Sequence, residues 1–269
     1  MSTNGHDWKL FKPRLSIFKK LPYPVFMKAK DLPPRGKVIG HKHDWDQLIY
    51  AVSGLLEVNS IKGDHLIPSG QAIWIPANQL HSIATINGAK LRSVHLQKGL
   101  INQLDKDITV LKVDSLTREL ISKATHFPFS ETINSSFTKQ QTRLLNVLVD
   151  EITQLEQVPL CLPLSNDPLL LPILIWQQKT PDSNKTLQMW SQELGASTKT
   201  IARRFDSKLG INFTKWREQL RLHKAIQWLS ENRSVTDVAL SLGYDSLPAF
   251  IQMFKRQTGT TPGKFVNIK

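Results

Sequence analysis

Over its first hundred residues the chain alternates short apolar runs with turn-forming residues. The runs are Gln47–Val52, Leu55–Val58, Gln71–Ile75 and Leu91–Leu96. Around them stand Ser53-Gly54, Lys62-Gly63-Asp64, Pro68-Ser69-Gly70 and Asn87-Gly88. Strands at this spacing, closed by such turns, predict a small antiparallel barrel or sandwich. From Asp114 onward the period lengthens to that of helices. Ser115–Ala124 predicts one helix and Phe137–Gln157 a longer one. In the longer helix Gln141, Leu145, Leu148, Ile152 and Leu155 recur at intervals of four and three, a narrow seam of the coiled-coil kind. Such a seam either packs the helix on its own barrel or joins two copies of the chain.

Val158–Pro168 holds three prolines and a Ser-Asn-Asp stretch and reads as a linker. Beyond it the patterns are helical. Leu187–Leu194 is amphipathic and stops at Gly195, a residue suited to a left-handed cap. Ser197 or Thr198 can cap the next helix, which carries Ile201 and Phe205 four apart. The pattern returns as Val235–Leu242, Gly243, Ser246, then Phe250 and Phe254. Phe213–Leu229 joins the two copies as one spacer helix. Helix, glycine turn, helix is the signature of a helix-turn-helix unit, and two in tandem make it specific.

Residues three or four apart share a helix face, while those two apart diverge by about 200°. With Ile201 and Phe205 inward, Lys199 and Arg203 point out on one stripe, beside Thr200 and with Arg204 on the flank. In the second unit Phe250 and Phe254 inward leave Pro248 and Gln252 outward, near Lys255 and Arg256. Arginine pairs with guanine, glutamine with adenine, and lysine neutralises phosphate, so these stripes suit the major groove of double-stranded DNA.

Composition sharpens this reading. The 269 residues exceed what one core usually needs and suggest two domains. Lys plus Arg number 35 against 22 Asp plus Glu, a net charge of +13, which points to a polyanion as partner. The charge is densest after residue 160, where 15 basic face 8 acidic residues. A hydrophobic share of 40% excludes global disorder. The single cysteine, Cys161, excludes an internal disulfide framework and a cysteine-based zinc cluster, and fits a reducing cytoplasm. Met1–Lys20 has no continuous apolar core, so no signal peptide is expected. No apolar run nears the roughly 20 residues of a membrane span, so no membrane partner is expected either.

The stretches 190–205, 213–229 and 235–265 resemble the DNA-binding domain of the AraC/XylS family of transcriptional regulators. The matching residues include Ala239, Leu242-Gly243-Tyr244, Ser246, Ala249-Phe250, Phe254-Lys255, Gly259, Pro262 and Phe265. The resemblance implies two recognition helices in successive major grooves. Lys199 and Arg203 are the base readers of the first, and Leu247, Pro248, Ala249, Ile251 and Gln252 those of the second. Pro248 stands where the family usually has a small polar residue. Proline is tolerated in a first helical turn.

The N-terminal half resembles a cupin. His41, His43, Gln47 and Gly54 follow the first cupin motif, with Gln in place of its usual Glu. Gly70, Pro76, Asn78 and His81 follow the second, with Asn78 in place of Gly and no Asn four residues after the His. His41 and His43 alternate onto one strand face, and His81 approaches from a neighbouring strand. These imidazoles serve as metal ligands, as hydrogen-bond partners of an effector, or as supports of the barrel. A neutral Gln47 amide in the carboxylate's place weakens a divalent-cation site. The reading adopted is therefore an effector pocket of His41, His43, Gln47, Trp74 and His81 without cofactor, and a metal held by His41, His43 and His81 is the alternative.

The expected architecture is α+β in two domains, an antiparallel cupin-like β-barrel with helices followed by an all-α domain with two helix-turn-helix units. Residues 1–112 form the sensing barrel, 113–160 a helical dimerisation or transmission segment, 161–168 a linker and 169–269 the DNA-binding domain, with its units near 187–208 and 235–257. The expected function is a cytoplasmic, sequence-specific regulator controlled by a small-molecule effector. Its expected partners are promoter DNA, RNA polymerase and a second copy of itself. No serine or cysteine nucleophile constellation and no glycine-rich phosphate loop is present, so an enzyme is not expected. The competing reading is a metal-dependent cupin enzyme fused to a DNA-binding tail.

Overall fold

The computed structural model describes residues 8–13, 20–61, 63–102, 104, 106–129, 137–158, 161–258 and 260–267. Lys62, Pro159 and Gly259 of the sequence patterns lie outside them. The chain divides into two compact units, Met1–Ser60 with Ile67–Val158, and Ile61–Leu66 with Pro159–Lys269.

The first unit is built on strands β1 (Lys9–Phe11), β2 (Val25–Leu32), β3 (Gly36–His41), β4 (Trp45–Ser60), β6 (Gln71–Ile75), β7 (His81–Thr85), β8 (Ala89–Gln97) and β9 (Thr109–Lys112), with part of β5 (Gly63–Pro68). The two runs read as separate strands on either side of Ser53-Gly54 are one continuous β4. Gly54 lets the strand pass without a turn. Its φ is +81°, and a Cβ there would lie 2.3 Å from the Gly88 carbonyl oxygen, so only glycine allows this approach. The first part of β4 pairs with β6 and β8, and its end, Glu57–Ser60, pairs with β7. β2 extends the sheet beyond β8, and β3 lies beyond β7. The pairing branches from β4 and does not return on itself among the described strands, so the barrel expected from sequence is an open, two-part sheet.

Helices α1 (Ser115–Ala124) and α2 (Lys139–Thr153) cover one face of this sheet. α2 starts later than the sequence predicts because Thr138 is its N-cap. Thr138 Oγ1 accepts from Gln141 N, and Gln141 Oε1 accepts from Thr138 N. Gln141 therefore closes a capping box instead of opening a seam. The helix also ends earlier, since Glu156–Val158 forms strand β10 on β9. Leu145, Leu148, Ile152 and Leu155 are buried with Leu48, Tyr50, Trp74, Ile121 and Ala124. The seam is thus the helix's attachment to its own sheet.

The second unit contains strand β11 (Cys161–Pro163), paired with the start of β5, and helices α3 (Leu171–Lys179), α4 (Leu187–Leu194), α5 (Thr198–Leu209), α6 (Phe213–Ser230), α7 (Val235–Ser241), α8 (Leu247–Thr258) and α9 (Pro262–Asn267). Within the span read as a linker, Cys161–Pro163 is a strand and Leu162 enters the core. Apolar side chains and the Trp216 Nε1–H, which donates to Pro163 O at 2.9 Å, hold it there. The first helix-turn-helix core gathers Trp190, Ile201, Phe205, Phe213 and Trp216. Among the described residues no helix is long and apolar enough to cross a membrane.

Leu148→Ala should lower stability by about 2–5 kcal/mol through the cavity it leaves. Val147→Ala, at an exposed position of the same helix, should change it by less than about 0.5 kcal/mol. Urea unfolding of the full-length protein checks both, and equal effects would contradict the assigned face.

Candidate functional site

Two sites emerge, one in each unit. In the second unit, α4 ends on Gly195 in the left-handed region, and Ser197 caps α5 by accepting from Thr200 N at 3.1 Å. Ile201, Phe205 and Leu209 are buried, while Lys199 and Arg203 are exposed on the opposite face, as the face geometry predicts. Thr200 is half-buried, with its hydroxyl 2.9 Å from that of Ser197, and belongs to the cap. Arg204 is occupied. Its Nη1 donates to Asp167 Oδ2 at 2.7 Å, and the Asp167 side chain is only 4% exposed. Asp167 Oδ1 also accepts from the backbone of Leu169 and Leu170. Arg204 thus ties α5 to the segment leading into α3.

On α8, Phe250, Met253 and Phe254 are buried. Leu247, Pro248, Ala249, Gln252 and Lys255 are exposed and Ile251 is half-buried. Arg256 is exposed and lies 3.8 Å from Glu218. Pro248 sits in the first turn, where no intrahelical N–H is required. The loop before α4 holds the two helix-turn-helix units together. Arg221 Nε donates to Pro181 O at 3.0 Å, and the Lys185 ammonium sits 3.6 Å from the Trp190 ring centroid. Gly243, at φ +73°, passes so close that a Cβ would lie 2.8 Å from Asp182 O.

In the first unit β3 ends at His41, whose register partner across β7 is His81. His43 lies in the loop after β3, not on the strand face the sequence assigns to it. That loop and the start of β4 are drawn in by Asn78 N donating to His43 O at 2.7 Å and by Ala77 N donating to Asp46 Oδ1 at 2.9 Å. Asn78 adopts φ +66°, which explains why this position accommodates glycine or asparagine. The three imidazoles meet, with centroids 4.3 Å apart for His41 and His81, 5.2 Å for His43 and His81 and 5.9 Å for His41 and His43.

Each ring is anchored through Nδ1 to a backbone carbonyl, Ile39 for His41, Trp45 for His43 and Gln79 for His81. A carbonyl only accepts, so in the neutral rings the proton is on Nδ1 and the lone pair on Nε2. Burial is the first cause favouring the neutral form. It lowers the pKa of His41 and His43, takes His81 to about 3 and holds His95 well below the ordinary histidine value. The Gln47 amide lies 2.9 Å from His43 Nε2 and 3.2 Å from Ser93 Oγ. With a lone pair on His43 Nε2, Gln47 must turn its NH2 toward His43 and accept from the Ser93 hydroxyl.

The three rings could hold a metal, since one ring nitrogen from each lies within 4.8 Å of the others. Among the described residues no carboxylate joins them, and Gln47 engages one of the lone pairs. Three neutral imidazoles can hold zinc, and without a carboxylate they bind a divalent cation more weakly than a set that includes one.

A cavity of about 410 Å³ opens beside the cluster. His41, His43 and Gln47 line it, together with Trp45, Ser93, His95, Lys28, Lys30 and Lys42, which the sequence reading did not select. His81 packs against the other two imidazoles but is not part of the lining. Trp74 is elsewhere. It pairs in register with Leu48, and both face the helices across the sheet. Trp45 supplies the cavity's indole, stacked on His43 at 4.9 Å, and its Nε1–H donates to His95 Nδ1 at 3.1 Å. The signal in the sequence was the pair of polar residues two apart within otherwise apolar strands, Ser93 with His95 and Lys28 with Lys30.

Comparison with known proteins matches each half of the chain to a described domain family. Residues 190–268 match the helix-turn-helix domain family and residues 34–132 the AraC-like ligand binding domain family. The chain is 32% identical over 226 residues to the HTH-type transcriptional regulator NimR of Escherichia coli, spanning 84% of this chain and 81% of that protein. It is 32% identical over 85 residues to the arabinose operon regulatory protein of E. coli, spanning 31% of this chain and 29% of that one. The structure of ToxT from Vibrio cholerae aligns with a TM-score of 0.39 and 10% identity over 91% of this chain and 99% of that one. Two helix-turn-helix units behind a ligand-binding sheet, and a regulator matched along most of its length, assign this chain to the AraC/XylS family of transcriptional regulators.

Proposed function

We propose that α5 and α8 read promoter DNA in successive major grooves, and that the cavity beside His41 and His43 takes the effector controlling this. One observation carries the DNA reading. Two recognition helices in a single unit each bury an aromatic face and leave Lys199 and Arg203, or Gln252 and Lys255, exposed. Arg203 is the guanine reader of α5 and Lys199 accompanies it. Leu247, Pro248, Ala249, Ile251 and Gln252 meet base edges from α8, with Lys255 and Arg256 at the backbone. The resemblance supports a homodimer that meets RNA polymerase at a promoter in the cytoplasm, although the α2 seam does not serve as the dimer contact. We read the chain as a regulator without enzymatic activity and its effector as bound without metal.

Arg203→Ala should cost about 1–3 kcal/mol at the specific site and relax preference at one or two base pairs. Its thermal midpoint should stay unchanged. Arg204→Ala should instead lower the midpoint, because it leaves the buried Asp167 carboxylate without its cation. Quantitative footprinting beside thermal unfolding separates the two, and an Arg203→Ala protein that binds its site normally would defeat the assignment of α5.

A second reading has its own support, since the convergence of His41, His43 and His81 is the feature that favours a bound zinc. Metal analysis of protein purified without an affinity tag decides between them. The expected result is far below one equivalent. Near-stoichiometric zinc, iron or nickel that disappears in His81→Ala would establish the metal instead.

A further inference from the structure

Helix α6 joins the two helix-turn-helix units, and a second connection crosses beside it. Phe213, Trp216 and Leu220 of α6 enter the first helix-turn-helix core, while Leu222, Ile226 and Leu229 are buried further along the helix, which α7 also packs against. Arg221 stands between these two sets. A helix of 18 residues flexes, so two cores strung along it would rock against one another without a lateral tie. Arg221 supplies that tie. Its Nε donates to Pro181 O at 3.0 Å, and its Nη2 lies 3.5 Å from both Ser183 O and Asn184 Oδ1. These residues belong to the loop that Lys185 fastens to Trp190 and Glu193 of α4, in the first helix-turn-helix unit. The same guanidinium lies 5.7 Å from the Tyr244 ring centroid, and Tyr244 meets Phe250 of α8 edge-on at 5.4 Å. Arg217, one turn earlier, holds the same loop, but its ring contact is Phe213, within the first core.

We propose that Arg221 is a positioning residue for DNA recognition. By holding the loop before α4 against Tyr244, it fixes α5 relative to α8 and so selects the spacing of the two DNA segments the protein accepts. The proposal rests on the reading of α5 and α8 as major-groove readers, and it adds what sets the distance between their sites. Grooves on one face of a duplex repeat every 10–10.5 base pairs or so. One inserted base pair therefore turns the second segment by about 35° and shifts it by about 3.4 Å. A clamped pair of helices cannot follow that displacement and keeps only one helix seated. A loosened pair follows it, but binds the native spacing more weakly because its helices are no longer preorganised. Arginine suits this task, since its planar fork engages several acceptors at once and stacks on an aromatic face.

The probe is the duplex that the full-length protein selects from a pool with a random core of about 20 base pairs, two helical turns. Hydroxyl-radical footprinting locates its two contacted segments, and one base pair is then inserted or removed between them. Wild-type protein should bind these spacing variants about tenfold or more weakly than the selected duplex. Arg221→Ala should bind the selected duplex about three- to tenfold more weakly than wild type, and lose no more than about threefold further on the spacing variants. Arg221→Met keeps an apolar stem at this half-buried position and should show the same reduced penalty. Circular dichroism confirms that both variants are folded. A merely structural role would lower affinity for all duplexes alike, so the ratio between spacings carries the test. Folded variants that keep the wild-type ratio overturn the proposal. If their slope of log affinity against log salt also falls by about one, Arg221 is a phosphate contact instead. A wild-type protein that is itself indifferent to spacing, or that protects one segment only, overturns the two-groove reading and the proposal with it.

Discussion

The two faces of β4 are the constraint on which the ligand-binding half depends. Successive side chains of a strand point to opposite sides, so one continuous strand assigns Trp45 and Gln47 to the cavity and Leu48 and Tyr50 to the helices. A register slip of one residue would exchange these sets and expose the apolar one. Burial of Leu48 and Tyr50 against α1 and α2 therefore fixes where Gln47 meets His43 and Ser93. The strand can serve both parts of the sheet because Gly54 removes the side chain that would meet Gly88.

The DNA-reading half depends on a different economy of charge. Much of its basic content is used inside the unit. Arg217 and Arg221 donate to backbone carbonyls of the loop before α4, and Lys185 pairs with Glu193 while covering Trp190. That loop also receives Gly243 from the turn of the second helix-turn-helix unit. The spacing between α5 and α8 is thereby set by one loop held at both ends. Net charge alone overstates the face presented to DNA.

Helices were legible from sequence because caps and apolar spacing act locally. Gly195, Ser197 and the pair Ile201 and Phe205 suffice to draw the first helix-turn-helix unit, and repetition around Gly243 makes the assignment secure. The ends of α2 were not legible, since Gln141 reads as a seam position until Thr138 is seen to cap the helix. Among the pocket residues, His41, His43 and Gln47 were found through spacing, and Trp74 was misassigned. Parity within one strand says which residues share a face but not which face looks inward, and only pairing of Trp74 with Leu48 decides that. Lys28, Lys30 and His95 come from strands far apart in the chain, so their convergence depends on β2 pairing with β8. Arg204 reads from sequence as a DNA contact on the flank of α5, because its partner, Asp167, lies 37 residues away.

That ion pair bears on how tightly the protein responds to ionic strength. Counterions are released from DNA only when a cation newly neutralises a phosphate, each contributing about 0.9 to the slope of log affinity against log salt. Arg204 enters the encounter with its charge already matched by Asp167. In the proposed docking the first recognition helix contributes chiefly through Lys199 and Arg203, and of the four cations it displays, Lys199, Arg203, Arg204 and Lys208, Arg204 adds least to its salt sensitivity. A regulator built this way keeps part of its basic surface out of the nonspecific attraction shared by every DNA sequence, which leaves base recognition a larger share of the discrimination.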